Sequence, residues 1–399
     1  MKIKYLDNQL KEELFSGANA VEIDVKNTLY IIKETAIVHE DLLLNSMGFF
    51  NVSSDVSEGK VRFISFKGGG NMTKAKPDNC AWMPNGKIGT NSTSIELCPA
   101  NIQFEHCHSI IPCWESLFGV GNDVNNILST PTGIEMYNQL IELVFQTVGN
   151  DFYKIAWFGK HQLMINAAET KVGVENPEQW AALKNTLDTC GGWLATIDYY
   201  QSLGEKNFSC TAINSQNVNA TDGFTGDIIK VFKEMVACAD TKFKSAMKAA
   251  KPGEKACMLV TPDLFEAYKS YLIDKYPTIP DMLYYNMSGE FCAKIGCAGQ
   301  YRMEGALLWD GIWIKCMDSW DVCTAEMGIN HTRALLTLPR NLAIGVDVKG
   351  QSIYGGIGMK IYQNTENPKE AGKLSGSLDY RLGTGILFKD FIVNSSIVY

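Results

Sequence analysis

Apolar positions between Gly133 and Phe158 fall on one helical stripe, Tyr137, Ile141, Val144, Val148, Phe152 and Ile155, whose phase carries through Gly149-Asn150-Asp151. The pattern predicts one long helix, with Thr132 and Glu135 at capping-box spacing and a length of roughly 39 Å at 1.5 Å per residue. Before it, residues 1–58 mix polar and apolar positions without heptads and read as an extended arm with short helices. Val61 to Lys67 has the β-branched and aromatic content of a strand. Gly68-Gly69-Gly70-Asn71 opens a polar excursion to Asn91, and strand character returns at Ser94 to Leu97, which together predict a protruding hairpin. Beyond the long helix, Leu163 to Gly223 reads as mixed, with a short helix through Glu178 to Leu183. Ile228, Val231, Phe232, Met235, Val236 and Ala239 then follow an amphipathic helical pattern, with Asp227 in its first turn. Cys257 to Val260 is strand-like. Thr261 and Pro262 suit the cap and first position of the next helix, whose Leu264, Phe265, Tyr268 and Leu272 face inward and which Pro277 stops. Asp310-Gly311 between Leu307-Leu308-Trp309 and Ile312-Trp313-Ile314 predicts a two-residue hairpin turn of type I′. From Asn341 the chain alternates as strands and turns, closing on a strand from Gly385 to Val393. The class is α+β.

A chain of 399 residues and 44.2 kDa, 46% hydrophobic and 20% charged, has the make-up of a globular protein of two or three domains. No apolar run reaches the roughly 18 residues that span a bilayer, and the start Met1-Lys2-Ile3-Lys4 has no apolar segment behind it, so the expected location is the cytosol. Twelve cysteines scattered through such a chain favour reduced, mostly buried thiols over a disulfide framework. Net charge is −8 with Lys and Arg dispersed, which leaves no electrostatic footprint for sequence-specific nucleic-acid binding.

Candidate chemistry is sparse. No phosphate-binding loop is complete, since Gly68-Gly69-Gly70 lacks the following Gly-Lys pair and Gly86-Lys87 precedes Ile88. Gly119-Val120-Gly121 and Gly383-Thr384-Gly385 lack the third glycine of a dinucleotide fingerprint and read as turns. Cys98, His106, His108 and Cys113 form the best metal candidate, because His106 and His108 on a strand share a face and thiolates could complete a tetrahedron, but the spacing matches no zinc pattern. The expectation for them is core thiols and hydrogen-bonded histidines, as for Cys292/Cys297 and Cys316/Cys323. Lys67, Lys74 and Lys76 at the Gly-rich bend keep a hairpin soluble or touch a neighbour, and Trp82 tilts that choice towards a partner surface. No catalytic, cofactor-binding or metal residue is assigned, and no cofactor is expected.

The order of arm, long hairpin, Ser94-Ile95-Glu96-Leu97-Cys98-Pro99-Ala100, Ile110-Ile111-Pro112-Cys113-Trp114-Glu115-Ser116-Leu117, long helix and Trp157-Phe158-Gly159 resembles the major capsid proteins of tailed bacteriophages of the Hong Kong 97 type. The helix from Ile228, Met258 to Pro262 leading into Leu264 to Leu272, and Leu307 to Ile314 resemble the order of that family's axial domain. Asp379 to Leu387 is similar to its final peripheral-domain strands. The resemblance implies an arm at 1–58, an extended loop at 59–93, a peripheral domain at 94–221 with the spine helix at 133–158, an axial domain at 222–345 and a second peripheral part at 346–399. It also implies a non-enzymatic subunit that self-assembles as hexamers and pentamers into an icosahedral shell around double-stranded DNA held by non-specific enclosure. Scaffold, portal or decoration proteins would be the other partners, no membrane is involved, and the product is the virion capsid, assembled in host cytoplasm. A built-in helical scaffold is absent from the N-terminal stretch. Two rivals stand beside this reading: an encapsulin-like compartment holding protein cargo, and a metal-dependent cytosolic enzyme using His106 and His108.

Overall fold

The structure is a computed structural model that describes residues 20–22, 49–53, 56–57, 59–67, 89–107, 150–219, 223–250, 255–275, 306–346, 359–363 and 373–399. Strands β1 (Ala20–Glu22), β2 (Asn51–Ser53), β3 (Val56–Ser57), β4 (Lys60–Lys67), β5 (Gly89–Glu96) and β6 (Cys98–Cys107) come first. A helical run follows, with α1 over the described residues 150–158, α2 (Gln162–Glu175), α3 (Pro177–Leu187) and α4 (Trp193–Ser202). The chain continues through β7 (Val218–Asn219), β8 (Gly223–Phe224), α5 (Ile228–Cys238), α6 (Thr241–Ala249), β9 (Cys257–Val260) and α7 (Pro262–Lys275). It ends with β10 (Ala306–Trp309), β11 (Ile312–Cys316), α8 (Asp318–Glu326), β12 (His331–Thr337), β13 (Leu342–Val346), β14 (Met359–Gln363), β15 (Lys373–Ile386) and β16 (Ile392–Val398).

A five-stranded sheet of order β10-β11-β9-β12-β16 divides the interior in two. Its β9 and β11 run parallel and the other pairs antiparallel, and all four residues of β9 are buried because both faces are covered. Strand alternation then assigns side chains to different cores. Cys257, Leu259, Leu335 and Ile392 face a core built with α1 to α4, while Met258, Val260, Leu336 and Val393 face a second core built with α5 to α7. The first core also receives Phe49 and Phe50 and the inner residues Leu342, Ile344, Leu382 and Ile386 of a six-stranded sheet. That sheet has the order β1-β14-β15-β13-β2, with β6 also paired to the long β15.

Local signals explain most elements. Asp227 caps α5, accepting on Oδ1 from the N–H groups of Ile229 (2.9 Å) and Lys230 (3.2 Å), so it precedes the first turn instead of lying in it. Leu264, Tyr268 and Leu272 of α7 are buried at helical spacing. At its start the Asp263 carboxylate, not the Thr261 hydroxyl, accepts the N–H of Leu264, and Thr261 instead donates to Asp263. Asp310 (φ 46°) and Gly311 (φ 80°) join β10 to β11 with Trp309 opposite Ile312, as expected for a type I′ turn. Of the predicted long helix, residues 150–158 are helical and bury Phe152 and Ile155, and residues 133–149 lie outside the described residues. Helix α1 stops where Gly159 meets the chain before α4, since a Cβ there would lie 2.1 Å from the Cys190 carbonyl oxygen.

Four expectations are corrected. Leu163 to Gly223 is largely helical through α2, α3 and α4 rather than mixed. The closing strand is interrupted, because Asn341 donates to the carbonyls of Phe388 and Phe391 and accepts from the Phe388 N–H, holding a 3-10 turn at Lys389–Phe391. Gly383-Thr384-Gly385 is not a turn but the middle of β15, paired with β13. Four cysteines are not reduced thiols: Cys98–Cys190 and Cys210–Cys238 are disulfides, joining partners 92 and 28 residues apart. Folding brings these pairs together across intervening helices, which spacing along the chain does not reveal. Cys257, Cys316 and Cys323 are buried and take no part in these two disulfides, as expected of core thiols.

Candidate functional site

The β4–β5 hairpin and the seat that holds it form the most distinctive assembly of residues outside the two cores. Its ladder runs from Lys60 opposite Glu96 to Lys67 opposite Gly89, and residues 68–88 lie outside the described residues. At the base Val61 and Ile95 are buried, while Arg62 and Ser94 are exposed and Ile64 is 69% exposed. Lys60 Nζ meets Glu96 Oε1 at 2.6 Å, and that hydrogen bond holds the Glu96 carboxyl below its ordinary value. Leu97 N–H donates to the Gly59 carbonyl at 3.0 Å and closes the loop of the base.

The floor under this base is glycine. In the six-stranded sheet Gly345 pairs with Gly383 and Ala343 with Gly385, which puts three glycines on the face that Val61, Ile95 and Leu97 cover. A Cβ on Gly383 would stand 2.2 Å from the Glu96 carbonyl oxygen and 2.9 Å from Ile95 Cγ2, and one on Gly385 2.8 Å from Ile95 Cγ1. Strand glycines mark a close approach of another chain segment, and here it is the root of the hairpin.

The seat is braced from behind. Immediately after the hairpin, Cys98 is bonded to Cys190 in the segment leading into α4. Trp193 Nε1–H donates to the Gly385 carbonyl at 3.1 Å, Thr384 Oγ1–H to Gly191 at 2.9 Å, and Gly192 N–H to Gly159 at 2.7 Å. Trp193 stacks on Phe50 (centroids 5.2 Å, planes at 8°) and meets Trp157 edge-on at 4.5 Å, and Trp157 meets Trp320 of α8 at 5.0 Å. Such aromatic contacts add to area burial and fix side-chain geometry. The arrangement can transmit force from the hairpin into the first core; it has no nucleophile–base geometry.

Of the residues singled out in sequence, Cys98 and His106 lie on one strand, opposite Leu382 and Leu374 respectively. Eight residues of strand separate them by roughly 26 Å, so they cannot share a metal. His106 lies on β6, and the expectation that it shares a strand face with His108 falls outside the described residues. His108 and Cys113 lie outside the described residues, as do Lys74, Lys76, Trp82, Cys292, Cys297 and Gly119 to Gly121. Lys67 ends β4. Among the described residues no group of three His, Cys, Asp or Glu side chains could hold a metal ion, and no helix is long and apolar enough to cross a membrane. Sequence reading missed the glycine floor, although Gly383 and Gly385 two apart within a strand-like segment share one face and are its signature.

It also missed a polar cluster inside the first core. His161, between α1 and α2, accepts the Met164 N–H on Nδ1 at 3.3 Å, and its Nε2 lies 3.0 Å from Asp198 Oδ2 but outside hydrogen-bond alignment. Burial holds His161 below its ordinary value, against the opposing pull of Asp198. Burial, with Arg333 and His161 nearby, takes His331 down to about 3. Arg333 is fully enclosed and is lowered by burial to about 10.

No family profile and no curated protein matches the chain. Among solved structures it is similar to a chain of the satellite phage P4 procapsid including size determination protein (13% identity, 88% of this chain and 96% of that one, TM-score 0.45). It is similar also to a chain of the cyanophage Pam1 capsid asymmetric unit (10% identity, 88% of each, TM-score 0.45). A third likeness is to a chain of the capsid of Ralstonia phage GP4 (8% identity, 87% and 86% covered, TM-score 0.39).

Proposed function

We propose that this chain is a major capsid subunit of the Hong Kong 97 type, assembling without catalysis into an icosahedral shell around phage DNA. The observation that carries the reading is the rooted β4–β5 hairpin. Each strand has eight residues, about 27 Å of ribbon, and of the residues whose burial is described Val61 and Ile95 at the base are buried while Arg62, Ile64, Ser92 and Ser94 are exposed. Among the described residues only β3 adds to it, opposite Lys60 and Val61, so beyond its base the ribbon is two-stranded. Such a ribbon is marginal in water by itself, and apolar side chains such as Ile64 gain most when a neighbouring copy covers them. A closed shell needs such reaching contacts repeated on every copy, with a rigid root that fixes their angle. The glycine floor, the Cys98–Cys190 bond and the tryptophan series supply that root. The ordered series of segments in the sequence supports the same reading, with the arm at 1–58, the extended loop at 59–93, the peripheral parts at 94–221 and 346–399 and the axial domain at 222–345. A net charge of −8 suits a lining that encloses DNA without gripping it.

The test is assembly. Full-length protein examined by size-exclusion chromatography and negative-stain microscopy should give capsomers or closed shells. A variant lacking residues 64–90 should stay soluble and folded but form neither. Normal shells from that variant would remove the hairpin's role, wild-type protein that stays monomeric at all concentrations would remove the capsid reading, and shells carrying protein cargo instead of DNA would favour a compartment.

A further inference from the structure

The least satisfied part of the interior lies between β12 and the helical layer. Arg333, 1% exposed, donates from Nη1 to Asn394 Oδ1 at 2.9 Å, and among the described residues its Nε–H has no acceptor. His331, two residues earlier on the same strand face, has neither ring nitrogen bonded among the described residues. Trp320 of α8, its ring centroid 6.3 Å from that of His331, keeps a buried Nε1–H without an acceptor among the described residues. From the helical side the charges are His161 and Asp198, and the same Asp198 carboxylate acts on both His161 and Arg333. It is also partly exposed, at 26%.

The uncommitted groups are unbalanced. Among the described residues, and apart from His161 Nε2–H, which lies beside Asp198, Arg333 Nε–H, Trp320 Nε1–H and one N–H of neutral His331 are three donors, against one acceptor, the other His331 nitrogen. A water brings as many donors as acceptors and leaves the surplus in place, with only the partly exposed Asp198 carboxylate acting against the guanidinium charge. An anion only accepts, and it offsets the charge. We infer that Arg333, His331 and Trp320 form a built site for a small inorganic anion of halide size, which joins the five-stranded sheet to the helical layer. The site exists whether or not the chain forms shells.

Thermal melts of the full chain at pH 8, where both histidines are neutral, test this at constant ionic strength with chloride replaced stepwise by gluconate. Tm should rise by several degrees across the chloride series, and chloride-35 resonance should show excess line broadening that bromide reverses. Arg333→Met, which keeps the packing volume, should melt cooperatively and lose both effects. Should that variant fail to fold, Trp320→Phe, removing one donor and keeping an aromatic ring against Trp157 and His331, should weaken the apparent halide affinity several-fold. Wild-type protein with a chloride-independent Tm and no excess broadening would overturn the assignment in favour of ordered water. Broadening that survives unchanged in the folded variants would overturn it too, by placing the halide elsewhere.

Discussion

At Gly383 a single methyl group decides whether the hairpin keeps its root. Its Cβ would fall 2.2 Å from a backbone oxygen, which cannot rotate away, whereas at Gly345 the nearest atoms are side-chain methyls of Leu97 (2.8 Å) and Val61 (3.0 Å). Gly383→Ala should therefore cost about 1–3 kcal/mol or more in urea denaturation, and Gly345→Ala less. An equal cost at the two positions would mean that the floor is not the rigid seat described. The buried histidines give a pH signature of definite sign. His331 titrates near 6.5 when unfolded and about 3 when folded, so between those values the unfolded chain binds more protons. Stability should fall with acid across that window by roughly 1.4 kcal/mol per pH unit, then level off below it. Asp321 works in the opposite sense, since burial, Asp263 and Asp318 push its carboxyl up to about 7 from 3.8. The informative measurement is thus the difference between wild type and His331→Leu in denaturation from pH 7 to 3. No change in slope would show that His331 is not held neutral.

Among the elements, those with strong local signals were readable from the chain alone. The amphipathic stripe and Asp227 define α5, Asp310-Gly311 defines the β10–β11 turn, and β-branched content defines β4. Elements whose ends depend on distant partners were not. The break between β15 and β16 is held by Asn341, nearly fifty residues earlier, and no local breaker announces it. The disulfides belong to the same class. In the chain-entropy description, closing loops of 92 and 28 residues contributes on the order of 4–5 and 3–4 kcal/mol, with typical measured effects of 2–4. Reductant should accordingly lower the Tm of wild type and leave the Cys98→Ser, Cys190→Ser, Cys210→Ser, Cys238→Ser variant unmoved. Intact mass without reductant should be at least four hydrogens below the free-thiol value, and a full complement of titratable thiols would contradict both bonds. The span of β6 between Cys98 and His106 leads to a further expectation, that elemental analysis finds no stoichiometric zinc and that His106→Ala with His108→Ala preserves the melt. One zinc per chain lost in that variant would reinstate the metal site.

For the whole molecule the governing feature is one sheet with a core on each side, and its consequence is mechanical continuity from the hairpin through the tryptophans to α8 and the sheet. If the hairpin works as a lever on that body, Trp193→Ala should leave a folded protein that is several kcal/mol less stable and yields misshapen or open shells under the microscope. Well-formed shells from that variant would sever the hairpin from the core. The sequence by itself determined the α+β class, strongly patterned elements such as β4, α5 and the β10–β11 turn, the return of a strand at β5 after the polar segment, and the scarcity of catalytic motifs. These follow from local physics, because side-chain period and turn chemistry act over a few residues. Only the tertiary structure decided that Gly383 and Gly385 are a floor and not a turn, that Cys98 and Cys190 are bonded, that consecutive residues of β9 serve different cores, and that Arg333, His331 and Trp320 meet away from water. Each depends on which distant segments come within a few ångströms, and burial and bonding at such contacts are set by the packed chain rather than by neighbours in sequence.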